Sequence, residues 1–194
     1  MFVIPDIDEI CYGRDVGYAI RKINLDEHKE NISGTKIREQ LNVTKPIIWL
    51  TGQSGSGKTS IANALQQKIG GIILDGDEMR SSISMDLGFT KEDRETNNLR
   101  IARLAKVLSK RDLVIVSVIT PFEDTRKKIN EIAKPFWVYV ERSLPTNKDK
   151  PYQTPLYYHV KVNSDKQSVN EQVNEILLAL EKHKNIRLES NEKF

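Results

Sequence analysis

The chain has 194 residues, of which 38% are hydrophobic and 29% are charged, a composition that fits one soluble domain with a short appendage. Its 30 basic and 27 acidic residues leave a net charge of +3, which is too balanced to indicate nucleic-acid or membrane binding. It has no apolar run near the roughly 20 residues that span a bilayer, no signal-peptide pattern, and one cysteine, Cys11. We therefore expect a cytoplasmic protein without nucleic-acid or membrane partners.

From Pro46 onward, segments typical of strands alternate with segments typical of helices. Strands are predicted at 46–51, 71–77, 113–120, 136–141 and 157–162, and helices at 58–69, 91–111, 122–132 and 169–183. This alternation indicates an α/β three-layer sandwich with a mainly parallel five-stranded sheet. We expect that domain to span 46–184, with an N-terminal appendage at 1–45 and a frayed tail at 185–194.

The segment GQSGSGKT at 52–59 follows a buried strand and opens an amphipathic helix, and it matches the pattern G-x-x-x-x-G-K-[ST]. Such glycines let consecutive backbone N–H groups face a phosphate, and the helix adds the positive end of its dipole. In this pattern Lys58 reaches the β- and γ-phosphates, and the Thr59 hydroxyl ligates Mg²⁺. The pattern predicts a P-loop NTPase fold whose ATP-binding residues are Gly52, Ser54, Gly55, Ser56, Gly57, Lys58, Thr59 and Ser60. A kinase, a switch or motor NTPase, and a non-catalytic nucleotide-binding domain all remain open.

The segment LDGDEMR at 74–80 lies where the second strand ends, and strand ends face the ligand crevice in open α/β sheets. Asp75 and Asp77 can hold Mg²⁺ or orient an attacking hydroxyl there, and Arg80 can pair with a phosphate or sulfate. The alternative is a solvated Asp-Gly-Asp turn.

The helix predicted at 91–111 carries Arg94, Asn97 and Arg100 at helical spacing, a pattern that fits either an anion-binding face or a solvated charged face. Phe89, in the loop before that helix, is either a core residue or a stacking platform for a base.

Four segments together resemble the adenylylsulfate kinase family across roughly residues 46–141: GQSGSGKTSIANAL, LDGDEMR, DLGFTKEDRETNNLRIARLAKVL and SVITPFEDTR. Members of this family are P-loop kinases that transfer the γ-phosphate of ATP to the 3′-hydroxyl of adenosine 5′-phosphosulfate, a step of sulfate activation. The resemblance implies a small nucleotide substrate, ATP and Mg²⁺ as cofactors, and a homodimer as one possible assembly.

The resemblance also implies roles for individual residues. Lys58 and Asp77 are catalytic, and Thr59 and Asp77 hold Mg²⁺. The substrate-binding residues are Asp75, Arg80, Phe89, Arg94, Asn97 and Thr120. Among these, Phe89 stacks on the adenine, and Thr120 stands where the family has serine.

Two regions depart from the family pattern. Asn98 and Leu99 stand where the family has isoleucine and arginine, which removes one anion contact. After the strand at 136–141 the chain runs RSLPTNKDKPYQTPLYYHVKV, and its part KPYQTPLYYHVKV looks like the segment that follows a lid in the family. The lid, which covers ATP in the family, is therefore expected to be almost wholly absent. The local candidates to replace that lid are Arg142, Lys148, Lys150 and Tyr152, with a solvated loop as the favoured alternative.

The missing lid leaves two alternative functions open. One is a kinase for another nucleotide-linked acceptor, such as a cytidine diphosphate derivative. The other is a nucleotide-binding regulatory domain with weak catalysis.

Residues 1–45 resemble the C-terminal end of nucleotidyltransferases of the HIGH superfamily through Ile32, Ser33, Thr35 and Arg38. The resemblance implies a nucleotidyltransferase-like tail or packing arm, and a nucleotidyltransferase domain upstream as a partner. Because His28 does not match the adenylyl-transfer motif, we expect no nucleotidyl transfer by this chain.

Overall fold

A computed structural model describes residues 44–145 and 151–184. The predictions for residues 1–43, for Lys148 and Lys150, and for the tail after residue 184 lie outside the described residues.

The described residues form a five-stranded sheet in which every pairing is parallel. Its strands are β1 (Ile47–Thr51), β2 (Ile72–Asp75), β3 (Val114–Ser117), β4 (Phe136–Glu141) and β5 (Val160–Asn163). They lie in the order β2-β3-β1-β4-β5. The predicted α/β fold with five strands is therefore confirmed.

Five helices accompany the sheet within the described residues: α1 (Lys58–Ile69), α2 (Gly76–Ser81), α3 (Lys91–Leu108), α4 (Glu123–Ala133) and α5 (Val169–Lys184). Four of them match predicted helices. The short helix α2 was expected to be strand and turn, but the Asp75 side chain accepts a hydrogen bond from the Asp77 backbone N–H and caps a new helix.

Besides β2, two more predicted strands differ from the structure by three residues at one end. The strand expected at 113–120 ends at Ser117, since the chain then leaves the sheet and Thr120 adopts a left-handed φ of 45°. The strand expected at 157–162 begins at Val160.

The sheet is covered on both faces because side chains alternate along each strand. In β1, Ile48 and Leu50 pack in one buried cluster with residues of α1 and α5. Ile47 and Trp49 pack in the second cluster, with residues of α3 and α4. These two clusters are the two interfaces of a three-layer sandwich.

The topology creates a crevice between the carboxyl ends of β1 and β3. The chain leaves β1 for α1 on one face of the sheet and leaves β3 for α4 on the other. Ligands of open α/β sheets bind at such a switch point. No helix in the part of the chain that the structure describes is long and apolar enough to cross a membrane.

Candidate active site

The phosphate loop joins β1 to α1 and depends on glycine at several positions. Gly55 and Gly57 adopt left-handed φ values of 83° and 97°, which side chains rarely tolerate. At Gly52, a Cβ atom would lie 2.4 Å from the Val140 carbonyl oxygen. The N-cap residue of α1 is Gly57, which makes no side-chain cap hydrogen bond, so an anion can take that place at the first N–H groups.

Lys58 is folded back against its own loop. Its Nζ donates to the carbonyl oxygens of Gly52 and Gln53, at 3.0 and 2.7 Å, and the residue is 7% exposed. Burial lowers the pKa of Lys58 to about 8, against the opposing effect of the Asp75 and Asp77 carboxylates. A bound phosphate would give this ammonium a stronger partner than the two carbonyls.

Asp75 is the carboxylate that contacts the phosphate loop. Its Oδ2 accepts a hydrogen bond from the Thr59 hydroxyl at 3.1 Å, and its Oδ1 accepts one from the Asp77 backbone at 3.0 Å. The Ser117 hydroxyl lies 3.4 Å from the Thr59 hydroxyl. Thr59, one of the two predicted metal ligands, thus lies directly beside Asp75. The sequence analysis assigned Asp75 to substrate binding.

A cavity of about 150 Å³ opens at the carboxyl ends of β1, β2 and β3. It gathers most of the residues predicted for substrate, metal and catalysis. The predicted residues that line it are Ser54, Gly55, Lys58, Thr59, Asp75, Asp77, Arg80, Arg94, Asn97 and Thr120. The predicted residues outside its lining are Gly52, Ser56, Gly57, Ser60 and Phe89.

Arg80 and Arg94 share one wall of the cavity and hold the loop before α3. Arg80 donates to the Gly88 carbonyl oxygen at 2.7 Å, and Arg94 donates to the Phe89 carbonyl oxygen at 2.9 Å. Burial and the neighbouring Arg94 lower the pKa of Arg80. Two adjacent guanidinium groups at a cavity wall favour an anionic ligand.

Phe89 lies beside these two cations rather than in the core. Its ring centroid is 4.7 Å from Cζ of Arg80 and 5.5 Å from Cζ of Arg94. Because the residue is 70% exposed, the alternative of a core residue is wrong. An aromatic ring with this exposure can stack on a planar group.

Asn97 is buried at 1% exposure, and its Oδ1 atom has no hydrogen-bond partner among the described residues. Buried amide oxygens are nearly always paired, so an unpaired one at a cavity wall indicates a ligand donor.

Thr120 lies at the cavity with its hydroxyl already engaged. The hydroxyl accepts a hydrogen bond from Trp49 Nε1 at 2.8 Å and donates one to Asn98 Oδ1 at 3.2 Å. The Asn98 amide in turn donates to the Arg94 carbonyl oxygen at 2.8 Å. Asn98 is therefore a cavity residue to which the sequence analysis assigned no role in the site.

Arg100 does not join the anion-binding wall. It pairs with Asp86, with Nη2 and Oδ2 2.7 Å apart, and it does not line the cavity. Three-residue steps drift by about 60° each around a helix of 3.6 residues per turn, so Arg100 is turned away from Arg94.

The connector between β4 and β5 contains no helix or strand in its described parts, 142–145 and 151–159. Arg142 donates to the Gly55 carbonyl oxygen of the phosphate loop at 2.9 Å. Tyr152 is half-buried, and its hydroxyl oxygen lies 3.2 Å from the hydroxyl oxygen of Thr51. For Tyr152, the expectation of a solvated loop is therefore wrong.

Comparison with known proteins identifies relatives along most of the described residues. A model of the adenylylsulphate kinase family matches residues 44–161. An adenylyl-sulfate kinase of Lactiplantibacillus plantarum is 29% identical over 87% of this chain and 97% of its own length. One of Rippkaea orientalis is 34% identical over 69% of this chain and 90% of its own length.

Solved structures give the same result. The APS kinase CysC of Mycobacterium tuberculosis, in complex with AMPPNP and APS, is 28% identical and superposes with a TM-score of 0.65. The alignment covers 71% of this chain and 98% of that one. The predicted resemblance is confirmed, and the chain belongs to the adenylylsulphate kinase family.

Proposed function

We propose that the chain is an ATP-dependent kinase that phosphorylates the 3′-hydroxyl of adenosine 5′-phosphosulfate. One observation carries this proposal. The cavity joins a phosphate loop for the donor to a wall of two arginines for an anionic acceptor. Membership of the adenylylsulphate kinase family supports the same reaction.

The donor side depends on the phosphate loop. The free N–H groups at the start of α1 and the Lys58 ammonium neutralise the β- and γ-phosphates of ATP. Phosphoryl transfer needs mainly positioning and charge neutralisation, which these groups supply.

The residues beside the loop fit a magnesium ion. The Thr59 hydroxyl, the Asp75 carboxylate next to it, and the Asp77 carboxylate are the hard oxygen donors that Mg²⁺ prefers. Mg²⁺ usually keeps several waters and is bound through one or two carboxylates together with phosphate oxygens of the substrate. Bound there, Mg²⁺ would neutralise charge on the β- and γ-phosphates.

The acceptor side combines charge, a base platform and a carboxylate. Arg80 and Arg94 bind the phosphosulfate, and the exposed face of Phe89 receives the adenine. The Asn97 amide oxygen accepts a hydrogen bond from the sugar. Asp77 orients the 3′-hydroxyl toward the γ-phosphate.

Two further expectations from the sequence analysis remain predictions: a homodimer, and a nucleotidyltransferase domain upstream. A cytoplasmic location also remains a prediction.

An acceptor panel with Mg²⁺ and ATP tests the proposed function. The panel contains adenosine 5′-phosphosulfate, cytidine diphosphate derivatives and a sample without acceptor, and mass spectrometry locates the new phosphate. We expect turnover with adenosine 5′-phosphosulfate that falls at least about 100-fold in Asp77→Asn, since the substitution removes the charge but keeps the shape.

Glu78→Gln is the matched control, because Glu78 is the next acidic residue of α2, is exposed and does not line the cavity. It is expected to keep the wild-type rate. If only a cytidine diphosphate derivative is phosphorylated, that derivative is the acceptor instead of adenosine 5′-phosphosulfate. If ATP binds but no acceptor is phosphorylated, the result favours a regulatory domain.

A further inference from the structure

The connector after β4 touches the loop that follows β3. That loop, residues 119–121, lines the cavity on the side of Asn97 and Asn98. Gln153 of the connector and Arg126 of α4 contact this loop directly, and Tyr152 of the connector contacts it through Thr51. None of these three side chains lines the cavity itself.

Tyr152 links the ends of β1 and β3 through hydroxyl groups. The Thr51 hydroxyl donates its one proton to the Ile119 carbonyl oxygen at 2.7 Å, so the Tyr152 hydroxyl must donate to Thr51, at 3.2 Å. Burial raises the pKa of Tyr152 to about 12, which keeps its proton in place at neutral pH. Thr51 precedes the phosphate loop, and Ile119 belongs to the opposite wall.

Gln153 holds the same loop one residue further along. Its backbone N–H donates to the Pro121 carbonyl oxygen at 2.9 Å, and its side-chain oxygen accepts from the Glu123 backbone at 3.0 Å. Glu123 is the first residue of α4. The loop is therefore bonded on both sides of the turn from β3 into α4.

Arg126 completes this contact from α4. It is buried at 4% exposure, pairs with Glu123 at 2.7 Å, and donates to the Gln153 carbonyl oxygen. Its guanidinium carbon lies 5.4 Å from the Tyr152 ring centroid. The charge of Arg126 is thus used to seat the connector and is not offered to a ligand.

Thr120, in the middle of the held loop, explains why such support is needed. It has a left-handed φ of 45°, which is unusual for a residue other than glycine. Such a conformation persists only where the surrounding structure holds it, and it is often found at functional sites. Trp49 and Asn98 bond the Thr120 side chain, while Ile119 is bonded by Thr51, the partner of Tyr152, and Pro121 is bonded by Gln153.

We propose that Tyr152, Gln153 and Arg126 form a brace that positions loop 119–121 as the acceptor-side wall of the cavity. In this chain the connector after β4 acts as a fixed positioning element. This inference rests on the proposed function for its effect on catalysis, but the position of the loop can be measured without turnover.

The kinetic test uses Gln153→Ala, which removes the side-chain bond to Glu123, and Tyr152→Phe, which removes the bond to Thr51. Both substitutions leave Arg126 and the backbone bonds of Gln153 in place. Each is expected to raise the KM for adenosine 5′-phosphosulfate about 2- to 10-fold, the effect of one lost hydrogen bond, while the KM for ATP stays at the wild-type value. Tyr157→Phe is the matched control, since its hydroxyl bonds His159 at 3.0 Å in the same connector but outside the brace.

The NMR resonance of the Trp49 indole N–H provides the second readout, because this group donates to Thr120. We expect the resonance to shift in Gln153→Ala and Tyr152→Phe and to stay in place in Tyr157→Phe. An unchanged resonance in both brace variants would overturn the inference, as would equal increases of both KM values. If the wild-type protein fails to phosphorylate adenosine 5′-phosphosulfate, the proposed function fails, and the indole resonance still decides whether the brace holds the loop.

Discussion

At the residue scale, the Lys58 ammonium is unfavourable for folding because it is buried, and it is also the group that binds the phosphates of ATP in the proposed function. Its ammonium is almost fully buried, and its partners in the described structure are the carbonyl oxygens of Gly52 and Gln53 and the Ser56 hydroxyl. Burial depresses its pKa because the charged form loses water, and phosphate oxygens would restore a strong partner for that form. ATP affinity should therefore depend on the protonation of this one group.

The sign of that dependence follows from the depressed pKa. Below pH 8 the free protein already carries the Lys58 charge, and ATP binds to it directly. Above pH 8 the side chain becomes neutral in the free protein, so that binding must take up a proton. We expect the affinity for a non-hydrolysable ATP analogue to fall by up to about tenfold per pH unit above pH 8, as measured by calorimetry.

Lys58→Arg is the control for this profile, because a guanidinium stays charged throughout the range. Its affinity is expected to be lower but to lack the decline above pH 8. A flat profile in the wild-type protein would contradict a pKa near 8 for Lys58.

At the element scale, the N-terminal cap of α3 stabilises the helical turn that carries residues of the acceptor side of the cavity. Thr90 and Asp93 form a reciprocal cap, with hydrogen bonds of 3.1 and 3.3 Å between side chains and backbone. Arg94 and Asn97 lie directly after this cap, so fraying of the first turn would move both. Thr90→Ala is expected to lower the free energy of unfolding by about 1 kcal/mol and to raise the acceptor KM.

The start of α5 offers a matched control for this prediction. Ser168 and Glu171 form a similar reciprocal contact there, far along the chain from the cavity residues. Ser168→Ala should lower the stability by a similar amount, measured by denaturant unfolding, while the acceptor KM stays unchanged. Equal KM changes in the two variants would show that the effect of Thr90→Ala is one of general stability.

Elements with a strong local signal were predicted, and elements that depend on distant contacts were not. Helices α1 and α5 have long amphipathic patterns, and their predicted ranges agree with the structure to within one residue. Helix α2 was missed for another reason, since it has only six residues and no apolar period, and its Asp75 cap is a local contact that the sequence also allows in a turn. The end of β3 depends on Thr120, whose partner Trp49 lies 71 residues earlier in the chain.

The same distinction applies to the candidate site. Lys58, Thr59, Asp75 and Arg80 belong to contiguous motifs, so their spacing along the chain predicted their meeting at one cavity. Tyr152 was not predicted to be buried, because its contact with Thr51 spans 101 residues and belongs to no local pattern.

At the scale of the whole molecule, Trp49 links the hydrophobic core to the candidate active site. This residue is fully buried in the cluster beneath α3 and α4, and its indole N–H donates to Thr120 at the cavity wall. Trp137 is its neighbour in the same cluster, with ring centroids 5.5 Å apart and 3% exposure. The two tryptophans therefore share an environment. Of the two side chains, only that of Trp49 donates a hydrogen bond to the cavity wall in the part of the chain that the structure describes.

Replacing each tryptophan with phenylalanine separates core packing from site positioning. Both variants leave a cavity in the same cluster and are expected to lose about 1–3 kcal/mol of unfolding free energy. Trp49→Phe also leaves the Thr120 hydroxyl without its donor, so it should raise the acceptor KM several-fold, whereas Trp137→Phe should not. Steady-state kinetics and denaturant unfolding on both variants measure the two effects. If both variants changed the acceptor KM equally, the wall would depend on core packing in general rather than on the bond from Trp49 to Thr120.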